Sequence, residues 1–189
     1  MIRANFTAEL YTRFGRVGVS DTSVDYLGPL AINSAKHEGW LCTEAGLNLP
    51  NPILEFFPLR FHFQYVKEEP SRTYYFISGT DSVAYSGSRL EQSKNGWLGM
   101  YGTHLVGRVT DALNPANLLD NFSDKHLWKI ETLQEWDGEV ASARGIEFYL
   151  RDSQGHRVAQ VAECAHSYLH AGDLDGEILK FQLHNIRLE

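Results

Sequence analysis

The sequence predicts a single all-β domain over residues 1–189, assembled from three passes of a four-strand unit. Three observations carry that prediction. The helical period is almost absent, strand-type alternation recurs along the whole chain, and an aromatic–leucine pair returns at the same place in three successive segments. At this length one domain with a sizeable core is the natural outcome.

The alternation is clearest in four stretches. Phe61, Phe63 and Tyr65 alternate with polar neighbours, as do Trp128 and Ile130. So do Ile146, Phe148 and Leu150, and again Leu179, Phe181 and Leu183. Each gives one apolar face, which a half-buried strand requires. The one helical exception is DALNPANLLDN, 111–121, where Asn114 is placed to cap and Pro115 suits a first helical position.

The segments align as follows. The first reads GRVGVSD, GPLAINS, EGWLCTE and LRFHFQYV; the second reads TYYFISGTD, GSRLEQS, NGWLGMYG and LWKIETL. The third reads IEFYLRDSQ, HRVAQVA, HSYLHAG and LKFQLHNI. The repeats run over roughly 10–66, 72–134 and 144–188, and the unequal spacing falls in the loop before each closing strand, where insertions are tolerated. Within the pairs Trp40–Leu41, Trp97–Leu98 and Tyr168–Leu169 the leucines are expected to face the core and the aromatics the opposite side.

Twelve strands in three such units resemble a β-trefoil, in which six strands close a short barrel and six form hairpins over one end. A β-sandwich and a lipocalin-like barrel have similar strand counts. A three-unit ring has a physical advantage: one unit cannot bury its apolar face alone, whereas three around an axis share a core and remove sheet edges.

Each unit carries an aspartate near its first turn and an aromatic after it: Asp21 with Trp40, Asp81 with Trp97, and Asp152 with Tyr168. The pairing resembles that of ricin-type lectins, which combine a turn aspartate with an aromatic platform. A carboxylate accepts from two sugar hydroxyls while the ring stacks on the C–H face of the sugar. Those lectins carry a Gln-x-Trp motif in each repeat; this chain has one, Gln134-Glu135-Trp136, so the resemblance reaches the fold and not that family. Aspartate is also a common turn residue, and the aromatics are equally suited to packing over a barrel.

A second reading places the interaction in the loops. Residues 45–59 are apolar and hold three of the six prolines, so Leu54, Phe56 and Phe57 are candidates for contact with a protein partner. The loop 103–125, with its embedded leucines, is a candidate wall. The expected function is therefore non-enzymatic binding, of carbohydrate first and of protein as the alternative.

Several classes are disfavoured. A formal charge of −7 without basic clusters argues against nucleic acid. No Gly-x-Ser-x-Gly elbow, phosphate loop or calcium loop is present, and no catalytic set emerges. Cys164, His166 and His170 share strand parity but supply only half of a metal site, so no metal or cofactor is expected. Cys42 and Cys164 are expected to be free thiols of a reducing compartment. With no leader and no apolar run of membrane-spanning length, the expected location is the cytoplasm.

Overall fold

The computed structural model describes residues 1–21, 39–47, 55–80, 85–101, 126–163 and 166–189. They are strands and turns, with two short 3-10 segments at Glu44–Gly46 and Val140–Ser142. The first five strands are β1 (Phe6–Thr12), β2 (Gly15–Asp21), β3 (Trp40–Thr43), β4 (Glu55–Pro58) and β5 (Arg60–Glu69). Next come β6 (Arg72–Thr80), β7 (Arg89–Gln92), β8 (Leu98–Tyr101), β9 (Trp128–Thr132) and β10 (Phe148–Arg151). The last four are β11 (Val158–Glu163), β12 (His166–Ala171), β13 (Glu177–Ile178) and β14 (Gln182–Leu188).

All the pairings are antiparallel, and they close. β1, β2, β3, β8, β7, β6 and β5 pair in turn and return to β1, which makes a closed seven-strand barrel. A second circuit shares three of these strands. It runs β1, β5, β6, β9 and β10, crosses from Phe148 to Phe181, and returns to β1 through β14. The crossing is a reciprocal pair of backbone hydrogen bonds at 3.0 and 2.9 Å. Closure leaves these strands without free edges.

Alternation decides what fills the interior. Phe6, Phe61, Phe63 and Tyr75 are fully buried, and Phe6 stacks on Phe63 with centroids 4.6 Å apart. Trp128, Phe148 and Phe181 continue the same core. Each such side chain contributes about 1.5–3 kcal/mol through its removal from water.

A charged pair sits inside this apolar frame. Glu9 lies at a bulge in β1, where the register with β14 shifts between Thr7 and Glu9. It is 8% exposed and faces Arg60, also 8% exposed, at 3.2 Å, with Arg16 at 3.4 Å. Asn185 donates to the other carboxylate oxygen at 3.0 Å, and its carbonyl accepts from Arg60 at 2.7 Å. The β1–β14 seam is thus tied by a buried pair whose remaining bonds are satisfied, the condition under which burial of charge is tolerated.

Two departures from the sequence reading stand out. Phe6–Thr12 forms a strand, β1, ahead of the first predicted one. Glu55–Pro58 is a strand rather than loop, paired with β2 from Gly18↔Pro58 to Asp21↔Glu55. Asp21 is the last residue of β2, opposite Glu55. The predicted strand at 28–34 and the loop 103–125 lie outside the described residues.

Candidate functional site: an aromatic junction of three hairpins

β2–β3, β7–β8 and β11–β12 are three antiparallel hairpin pairs, and their second strands meet. Cys42 of β3 pairs with Tyr168 of β12, Trp40 pairs with Gly99 of β8, and Trp97 bridges to His170. Neighbouring positions on these strands therefore converge on one spot. Leu41, Leu98 and Leu169 turn into the main core, each at most 1% exposed. Trp40, Trp97 and Tyr168 turn to the other side and form a second apolar cluster with Cys42, Leu47 and Phe56. Strand alternation produces this split.

The three rings touch one another. Trp40 and Trp97 stack with centroids 5.4 Å apart and planes 12° apart. Tyr168 meets both edge-on, at 5.3 Å from Trp40 and 6.4 Å from Trp97. Offset stacking and edge contacts are the favoured arrangements of aromatic quadrupoles. Tyr168 is fully buried, whereas Trp40 and Trp97 are half-buried and keep part of their indole surface in solvent. Cys42 is buried beside Tyr168, and that burial pushes its thiol above the ordinary range, which disfavours the thiolate form.

His170 locks the junction. It is 3% exposed and lies edge-on to Trp97 at 5.1 Å. Its Nε2 is 2.8 Å from the Asn95 carbonyl oxygen, and because that oxygen only accepts, Nε2 carries the proton. Ala171 N donates to Gly96 O at 3.0 Å alongside, and Gln92 donates to the Ala171 carbonyl. Gly96 has φ +88°, and a Cβ there would lie 2.1 Å from His170 Nε2. Only glycine permits that turn and that approach together.

β4 covers one flank. Phe56 packs on the aromatic cluster, seated against Gly18 of β2. A Cβ at Gly18 would fall 2.8 Å from the Phe56 ring and 2.2 Å from the Phe57 carbonyl oxygen. The Phe56 ring thus fills the space that a side chain at position 18 would take. Phe57 turns outward, is 37% exposed, and leans on Tyr85 at 6.2 Å.

Among the candidate aspartates the side chain of Asp152 is described, and it stands apart from the aromatics. Asp152 is 3% exposed and its carboxylate is engaged within its own turn. Oδ1 accepts from Gly155 N at 2.7 Å and His156 N at 2.8 Å, and Oδ2 faces His156 Nδ1 at 2.9 Å. This is the turn role of aspartate. Asp21 is held through its backbone opposite Glu55, and Asp81 and Leu54 lie outside the described residues. The structure brings Trp40, Trp97, Tyr168 and Phe56 together and leaves Asp152 in a separate turn.

Sequence reasoning missed His170 and Gly18 as parts of this site. The signal for Gly18 was a glycine interrupting the alternation of GRVGVSD, a mark of close approach by another segment. Cys164 lies outside the described residues, among which no three His, Cys, Asp or Glu side chains form a metal-binding group. No described helix is long and apolar enough to cross a membrane. No family model, no curated protein and no solved structure matches the chain.

Proposed function

We propose that the chain is a non-enzymatic binding module of the β-trefoil type, and that it takes carbohydrate on the face of the hairpin cap. The trefoil reading is supported by the order of pairing. A circuit strand, a hairpin and a second circuit strand follow one another as β1, β2–β3, β5; then β6, β7–β8, β9; then β10, β11–β12, β14.

One observation carries the ligand reading: two parallel indoles, Trp40 and Trp97, held half-exposed at the junction by Tyr168 and His170. A fixed indole surface stacks on the apolar face of a sugar at little cost in side-chain entropy. Because the aromatics converge, the reading has one composite site in place of three. Asp152, already satisfied in its turn, is not a sugar ligand in it.

The test is titration of the protein with a panel of mono- and oligosaccharides, read by tryptophan fluorescence with Trp40→Phe and Trp97→Phe variants to assign the signal. A second reading, binding of a protein partner, is favoured by exposed Phe57 on β4. It predicts that Phe57→Ser abolishes binding while Trp97→Phe does not.

A further inference from the structure

We draw no further inference here: the strongest candidate, the groove of about 720 Å³ between the β5–β6 turn and the segment that follows β9, is a cluster of the carboxylates of Glu68, Glu69, Glu131, Glu135 and Asp137, and nothing among the described residues points to a ligand for it.

Discussion

Trp40 and Trp97, far apart in sequence, stack face to face with planes 12° apart and centroids 5.4 Å apart. Trp40 opens β3 and Trp97 immediately precedes β8, in two different hairpins, and Tyr168 of a third closes beneath them. The pair therefore reports on whether the hairpins have come together. Parallel indoles at this distance couple their transitions, so native protein is expected to show an aromatic couplet in its circular dichroism. Trp97→Phe should remove the couplet while leaving the β signal. Trp97→Ala should in addition cost about 2–4 kcal/mol, short of the full value for a buried large aromatic because Trp97 is half-exposed. Urea denaturation measures that loss.

Gly18 is where β4 is held. Gly18→Val places a side chain where the Phe56 ring and the Phe57 carbonyl lie. β2 keeps its pairing with β3, because valine suits a strand, and β4 is displaced. The expected outcome is a folded protein with increased acrylamide quenching of tryptophan. Phe56→Ala should give a smaller increase in the same direction.

Glu9 and Arg60 form a buried pair across β1 and β5. Among the described residues, Arg60→Met leaves the Glu9 carboxylate with Arg16 and Asn185. That should cost about 3 kcal/mol, since removal of one partner strands a buried charge. Combining Glu9→Leu with Arg60→Met should recover most of it. Double-mutant denaturation decides, and a double mutant no more stable than Arg60→Met would refute the pairing energy.

The tyrosines set the alkaline limit. Burial raises the Tyr75 hydroxyl well above its ordinary value, and burial followed by Glu91 raises that of Tyr101. Tyr74 is raised first by its hydrogen bond to Glu69. In each case the folded state holds its proton more tightly than the unfolded chain. Their contribution is fully present below the unfolded value of about 10 and is lost as pH rises above it. Cys42, raised by burial in the same way, begins the decline at the ordinary thiol value of about 8.5, so stability by denaturation should fall from there and more steeply above about 10, and Tyr75→Phe should flatten the steeper part.

The strands were legible because their alternation is local. Phe61, Phe63, Trp128 and Ile130 declare their faces within a few residues, and Leu41, Leu98 and Leu169 follow the same rule. β1 was passed over because Phe6-Thr7-Ala8-Glu9-Leu10 pairs its apolar positions with a glutamate that is itself buried, and the partner that makes this tolerable, Arg60, is remote in sequence. β4 has the sequence look of a loop because prolines lie in and before it, and its partner among the described residues is β2 at Gly18. The convergence of Trp40, Trp97 and Tyr168 depends on pairing between hairpins, which no single segment encodes. Asp152 looked like a ligand because a turn aspartate and a sugar-binding aspartate have the same sequence signature; only its three bonds separate them.

The measurement that tests the central claim most directly is tryptophan fluorescence of the pure protein under acrylamide, followed by titration with saccharides. Trp40 and Trp97 are half-exposed, while Trp128 is 3% exposed. The account predicts that the quencher reaches the stacked pair, that a saccharide shields it saturably, and that Trp97→Phe removes the shielded component. A stacked pair that is quenched yet unmoved by every saccharide, in a protein whose Phe57→Ser variant alone loses a binding partner, would contradict it.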